Sequence, residues 1–367
     1  MSNPYYGIIT HYDVHNHGAV LQLNALCRVL RSRYALDASA LRFDKNYDFL
    51  GHRLKAKYEP GLRSLGIYLK YLREQGLRCL LYNWRKRRTL ERFKRTEGLV
   101  GDYYTEGRRP DGVVVGSDEV FALHTGPTPV LFGHALPAEK VFAYAGTFGP
   151  TTHEDIDRLH CRPLVESGLA AMKGIGVRDA NTERIVLAMT GVNTPPSRVC
   201  DPVLLYGYEQ ELRQAVRPCR EKYMVVYAYD RKMNDPAEVE RIRRFAREQG
   251  WRIVSPGYWH AWADRNVDVD PVGLLAWFRF AECVVTDTFH GAVMSIITGR
   301  ELAVRLRDNA NKLLNLLEEY RLTDRLIGDD WDLTALFARP ADWAAVNAEV
   351  ERRRAESLRF LDAMVAD

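Results

Sequence analysis

Residues 111–116, DGVVVG, hold three consecutive valines between two glycines. A strand of that composition has to be covered on both faces, as in a parallel sheet layered between helices. Runs of this kind recur along the chain. Each is followed by a polar or glycine-containing loop and then by apolar residues at helical spacing. YGIIT (6–10) leads into GAVLQLNALCRVLRSR, where Leu21, Ala25, Leu26 and Val29 repeat as one helix face. KVFAYAG (140–146) and GIGVRD (174–179) are further strands, the second running into the helix ANTERIVLAM with Asp179 or Asn181 as its N-cap.

After the turn CDPVLL (200–205) the pattern starts again. YMVVYAY (223–229), WRIVSP (251–256) and ECVVTD (282–287) read as strands. PAEVERIRRFAREQG (236–250) is an amphipathic helix with Val239, Ile242, Phe245 and Ala246 inward and Gly250 as its stop. Two blocks of alternating strands and helices imply an α/β protein of two doubly wound, Rossmann-like domains facing a cleft. The expected limits are 1–207 and 208–335, with 336–367 a C-terminal helix packing back on the first domain.

Within a net charge of +4, residues 53–95 hold fourteen Lys and Arg against three Asp and Glu, a balance of +11 that leaves −7 elsewhere. The acidic remainder and the lack of a recognised module speak against nucleic acid. The basic segment fits peripheral contact with an anionic membrane surface, the holding of a phosphorylated acceptor, or a solvated helix. In the last reading Leu77, Leu81 and Trp84 pack on the core. Six scattered cysteines without a Cys-x-x-Cys pair, an N-terminus without a signal pattern and no span-length apolar run imply a cytoplasmic protein, membrane-associated if the basic segment is a surface contact.

In doubly wound sheets, ligands bind at the carboxyl ends of strands. VVTDTFHGAVMSIITG (284–299) places Thr288, Phe289 and His290 in a loop opening a helix at Gly291, where an anion gains the helix dipole and exchanges a proton with the imidazole. Arg178 ends GIGV and suits a carboxylate or phosphate clamp, or else an interdomain salt bridge. Gly116 and Ser117 can admit a ligand, and Asp118 reads equally as a general base or hydroxyl-orienting group, or as a helix cap. Gly146 and Thr147 belong to a phosphate loop or a tight turn. His11, Asp13, His15 and His17 crowd seven positions, but their spacing fits no regular metal motif, so no metal is expected.

Taken in order, Asn16-x-Gly18 with Leu21-Gln22, Gly116-Ser117-Asp118, Tyr144-Ala145-Gly146-Thr147-Phe148-Gly149, Val177-Arg178-Asp179, Asp201-Pro202-Val203-Leu204 and Asp287-Thr288-Phe289-His290-Gly291 resemble the polysaccharide pyruvyl transferase family, and NKLLNLLEEYRLTDRL (311–326) resembles its ending. The chain departs from the family pattern at Glu119 and Phe121, and at Thr288, where some members carry Arg. The resemblance implies a GT-B-like fold, with an acceptor side in the first domain and a donor side in the second. It also implies transfer of pyruvyl from phosphoenolpyruvate to hydroxyls of a sugar or lipid-linked glycan, commonly as a ketal. His290 matches the family's functional histidine and Arg178 a donor-binding arginine. Asn16 and Gly18 then face the cleft, where an amide and a bare backbone touch a ligand.

Phosphoenolpyruvate carries two anionic groups, which Arg178 and the helix N-terminus at Gly291 serve without a metal or other cofactor. His290 is the expected acid for the enol carbon, with Asp118 helping to deprotonate the acceptor. Thr288, Phe289 and Gly291 line the donor loop. A sugar-nucleotide glycosyltransferase and a non-catalytic glycan-binding relative share the same cleft and stand as alternatives.

Overall fold

The valine run and its neighbours do form the centre of a parallel sheet. The computed structural model describes residues 3–45, 62–189, 195–229, 232–307 and 311–366. The first sheet contains β1 (Tyr5–Ile9), β2 (Asp37–Arg42), β3 (Val100–Tyr103), β4 (Gly112–Val115), β5 (Lys140–Gly146), β6 (Gly174–Val177) and β7 (Ser197–Arg198), in the order β3-β2-β1-β4-β5-β6-β7. The second contains β8 (Tyr223–Tyr227), β9 (Arg252–Pro256), β10 (Arg265–Val267), β11 (Val284–Thr286), β12 (Leu302–Arg305) and β13 (Leu326–Ile327), in the order β10-β9-β8-β11-β12-β13. Neighbouring strands are parallel throughout, with Ile8 opposite Val114 in the first sheet and Val285 opposite Val226 in the second.

Both orders reverse direction once, between β1 and β4 and between β8 and β11. At such a switch point the following loops diverge to opposite faces of the sheet and leave a crevice at the strand ends. The loops concerned are 10–16 and 116–118 in one half, and 287–288 in the other. Those segments carry Asn16, Gly116, Ser117, Asp118 and Thr288.

The helix His17–Tyr34 follows β1 and buries Val20, Leu21, Leu23, Leu26 and Leu30. It packs on Pro202–Tyr206 and on Pro271–Arg279, so one apolar core runs from the first sheet into the second. The segment expected as a turn at 200–205 is this short helix, opened by Asp201, whose carboxylate accepts from the Val203 N–H at 2.9 Å. Pro202 at the first helical position makes the same sequence suit a helix start.

Two further differences concern helices. The helix Leu62–Thr96 is broken at Gly76 (φ 76°), and Leu77, Leu81 and Trp84 lie on its outer side, exposed, instead of on the core. Cys79, Tyr82, Lys86, Leu90 and Lys94 take the inner side. Residues 53–61 of the basic segment lie outside the described residues. The final helix, Trp343–Ala366, contacts β6, β7 and Pro202–Tyr206. Its Phe360 ring stands 6.4 Å from Phe142 and 6.3 Å from Tyr144.

Ser357 on that helix is buried; its hydroxyl accepts from the Cys200 N–H at 2.8 Å and donates to the Arg353 carbonyl at 2.7 Å. Replacing Ser357 with Val leaves a buried N–H without a partner, a loss of about 1–3 kcal/mol. Chemical denaturation of Ser357→Val beside wild type should show that loss, and an unchanged midpoint would mean the last helix contributes nothing to the first sheet's stability.

Candidate active site

Asp118 follows β4 through a left-handed turn (φ 72°), and its carbonyl accepts from the N–H of Thr147 at 2.8 Å. This ties it to the end of β5. The four small residues around it are buried supports. A side chain on Gly116 would strike the Tyr144 carbonyl, and one on Gly146 would strike the Phe121 ring. The Ser117 carbonyl accepts from Thr10 Oγ1 at 3.1 Å, and Thr147 Oγ1 accepts from the Gly149 N–H at 3.2 Å. Of the alternatives open for 146–147, the structure therefore has the tight turn. Gly116, Ser117, Gly146 and Thr147 support Asp118.

The Asp118 carboxylate meets Arg178, whose Nη2 donates to Oδ1 at 3.2 Å while Nη1 donates to Asp201 Oδ2 at 2.7 Å. Gln22, from the first helix, donates to the same Asp201 oxygen. The Arg178 guanidinium lies 4.1 Å from the Phe289 ring centroid and is almost wholly buried. Its ion pairs are with carboxylates of its own half, so neither a free bidentate clamp nor an interdomain salt bridge describes it. What crosses between the halves is the stack on Phe289.

Lys312 completes the cluster. Its Nζ is 2.8 Å from Glu119 Oε1 and 3.8 Å from Asp118 Oδ1, and 5.8 Å from the Phe289 centroid. Burial opposes ionisation of both Asp118 and Lys312, but attraction wins: Lys312 and Arg178 hold the Asp118 carboxyl well below the usual range, and Asp118 and Glu119 push Lys312 up. A carboxylate held that way is a weak proton acceptor. Asp118 is therefore an electrostatic anchor for the two cations.

His290 sits in the first turn of Phe289–Thr298. Its ring lies against Gly18, where any side chain would overlap the imidazole. Gly18 is thus bare where the His290 ring packs. Asn16, in turn, caps the first helix, its Oδ1 accepting from the Gly18 N–H at 2.8 Å. Among the described residues His290 Nε2 is buried without a hydrogen-bond partner. Burial lowers the imidazole pKa to about 4, with Asp201 and Asp118 pulling it up and Arg178 and Lys312 pulling it down. The ring is neutral near pH 7.

The helix that carries His290 begins at Phe289 and not at Gly291. Thr288 is its N-cap, and the hydroxyl accepts the Gly291 N–H at 2.9 Å. That N–H is consequently taken by the cap, and the Gly291 Cα faces the hydroxyls of Thr286 and Thr288, so Thr288 and Gly291 have structural duties at the helix start. Nearby, burial raises Asp287 to about 6 despite Arg307 at 3.2 Å. The loop histidines point to separate partners: His11 to the Glu119 carbonyl at 3.1 Å, His15 to Glu91 at 2.9 Å and His17 to the Val269 carbonyl at 2.7 Å. Among the described residues no three His, Cys, Asp or Glu side chains are grouped to hold a metal ion.

Arg178, Asp118, Asp201, Lys312, Phe289 and His290 thus converge from both sheets on one buried spot. The family model for polysaccharide pyruvyl transferase matches residues 16–305, which contain all of these but Lys312. The chain belongs to the polysaccharide pyruvyl transferase family. Membership supports a transferase of polysaccharide biosynthesis. No curated protein matches the chain in sequence.

Solved structures agree on the fold. Arabidopsis thaliana UGT89C1 complexed with UDP-L-rhamnose aligns with a TM-score of 0.54 at 12% identity, over 99% of this chain and 98% of that one. A UDP-N-acetylglucosamine 2-epimerase aligns with a TM-score of 0.53 at 12% identity, over 100% and 96%. The two parallel sheets and their covering helices are GT-B-like.

Lys312 was not among the residues assigned from the sequence. Its signal is a lone cation one residue inside the start of Asn311–Glu319, where the helix dipole disfavours positive charge. Asp201 was quoted only as part of a string; its signal is Asp-Pro, an N-cap followed by the first helical residue.

Two measurements check this geometry. Gly18→Ala forces the His290 ring out of place and should cost about 1–3 kcal/mol of stability, read as a lowered denaturation midpoint; a neutral result would mean the ring is free to move. His17 is fully buried, and burial with Lys86 nearby lowers its pKa to about 4 from 6.5. The unfolded chain therefore binds the extra proton between those values, and stability falls as pH drops from 6.5 towards 4. His17→Asn should shrink the stability lost between pH 7 and 5 by about 2 kcal/mol relative to wild type.

Proposed function

We propose that the protein moves the pyruvyl group of phosphoenolpyruvate to hydroxyls of a sugar or glycan acceptor, as a ketal, with release of phosphate. The observation that carries this reading is the uncommitted, buried, neutral His290 beside the Arg178 and Lys312 cations. A small ligand bearing two anionic groups fits the cationic side of that cluster. Its arrival also changes the histidine: added negative charge raises the proton affinity of the imidazole, which the unliganded site keeps low.

The chemistry then balances without a further reactant. His290, protonated once the donor is seated, delivers its proton to the methylene carbon, which becomes a methyl group, while C2 becomes electrophilic. An acceptor oxygen bonds to C2 and its proton returns to the imidazole. A second hydroxyl bonds to C2 as the C–O bond to phosphate breaks, and its proton leaves with the phosphate. Arg178 and Lys312 offset the charge of the donor carboxylate and phosphate, and Asp118 fixes both cations in place. The acceptor enters from the rim made by loop 10–16, and no resident metal or organic cofactor has a part in these steps.

Calorimetry with phosphoenolpyruvate should show saturable binding with proton uptake near pH 7. Lys312→Ala should weaken binding about 100-fold, the cost of truncating one member of a buried charge cluster. His290→Gln should keep most of the affinity but abolish the proton uptake. Binding of a uridine diphosphate sugar with none of phosphoenolpyruvate would overturn the reading in favour of glycosyl transfer.

A further inference from the structure

The outer face of the helix Leu62–Thr96 has no part in the chemistry above, yet its composition is not that of an ordinary solvated face. From the break at Gly76 onward, Leu77 (64% exposed), Leu81 (49%) and Trp84 (54%) stand in the solvent at helical spacing. Arg88 and Arg95 continue the same line, and Arg78, Arg85 and Arg92 flank it, all exposed. Arg88 lies over the Trp84 ring, 4.6 Å from its centroid. Trp84, Arg87, Arg88, Glu91, Arg92 and Arg95 line a shallow surface groove. Glu91 is the one acid between 77 and 96, and it is taken up by His15 at 2.9 Å and Lys94 at 2.6 Å. Within 77–96 the arginines thus have no second acid to neutralise them, and outside that stretch Asp268 acts on Arg85 and Arg92.

The inner face is just as clearly committed. Tyr82 Oη donates to the Val267 carbonyl at 2.8 Å and Thr89 Oγ1 to Asp268 at 2.9 Å, both in the second half. Lys94 donates to the Tyr12 carbonyl at 3.1 Å, in the loop that leads to Gly18 and His290. The helix therefore braces both halves at the rim of the cleft and turns an arginine-edged apolar stripe away from it.

We propose that this face docks the protein on an anionic phospholipid surface, with Leu77, Leu81 and Trp84 in the acyl boundary and the arginines on lipid phosphates. The two chemistries on one line favour a bilayer over a soluble polyanion. A polyanion would use the arginines and leave the leucines and the indole in water, whereas an interfacial helix uses both. Docked this way, the helix that braces the cleft rim lies on the membrane, which suits an acceptor carried on a lipid. Docking itself does not depend on the donor assigned above.

The test is sedimentation of the full-length protein with sucrose-loaded vesicles. Vesicles containing about one-third phosphatidylglycerol in phosphatidylcholine should carry the protein down, and pure phosphatidylcholine should not. Each arginine near an anionic surface is worth roughly fivefold in binding, so Arg85→Gln, Arg88→Gln and Arg92→Gln combined should weaken it about 100-fold. Leu77→Ser, Leu81→Ser and Trp84→Ala combined should also release the protein from vesicles while leaving retention on a heparin column unchanged. These are surface substitutions, and unaltered thermal denaturation confirms that both variants fold. Absence of wild-type binding to the anionic vesicles, or binding that survives either triple substitution, overturns the proposal. Heparin retention without vesicle binding would assign the face to a soluble polyanion instead. Vesicle binding can fail while phosphoenolpyruvate still binds, so the two readings are separately decided.

Discussion

The site depends on a buried guanidinium that cannot be moved without dismantling its surroundings. Arg178 holds Asp118 at 3.2 Å and Asp201 at 2.7 Å, and each of those carboxylates has a second duty. Asp118 receives Lys312 from the other half, and Asp201 caps Pro202–Tyr206 and receives Gln22. A buried ion pair adds little net stability once desolvation is counted, but removing one member leaves an uncompensated charge. The cluster therefore acts as a constraint on geometry. It fixes the ends of β4 and β6, the short helix after β7 and the first helix relative to one another, and stacks on Phe289 to fix the second half too.

His290 gains its character from that constraint. It is pressed on Gly18 from one side, and two carboxylates and two cations act on it in opposite directions. Desolvation is the largest influence and keeps the ring neutral. A histidine in water would titrate near 6.5 regardless of what is bound. Under the proposed function, seating the donor anion is what protonates such a buried ring.

The architecture was legible in the sequence because it rests on local patterns. Apolar runs such as Gly112–Val115 and Tyr223–Tyr227 announce buried parallel strands, and Asp179 and Gly250 mark helix ends by their own chemistry. Strands such as Asp37–Arg42 and Leu302–Arg305 are short and made of small or mixed residues, and only their pairing defines them. In the site, the strings were found but their duties were not. Gly18, Gly116, Gly146 and Gly291 look alike as bare backbone, whether a ligand or a protein group fills the space. Here the fillers are His290, Tyr144, Phe121 and Thr286, all distant in sequence or on the far side of a loop. Lys312 belongs to the site only because Asn311–Glu319 swings back to the first half. The outward turn of Leu77, Leu81 and Trp84 was equally hidden, since a 3.6-residue period shows that a stripe exists without showing which way it faces.

The division of labour between the halves follows from the same contacts. Asp118, Arg178 and Asp201 come from the first sheet's loops, and Phe289, His290 and Lys312 from the second's. Neither half alone holds a complete set of charges. A hinge opening would separate Lys312 from Asp118 and the Phe289 ring from Arg178, exposing unpaired charge, so such motion is opposed unless something replaces those contacts. The continuous apolar core beneath the cleft and the Tyr82, Thr89 and Lys94 hydrogen bonds at its rim resist it further. These contacts consequently hold the two halves in a closed arrangement.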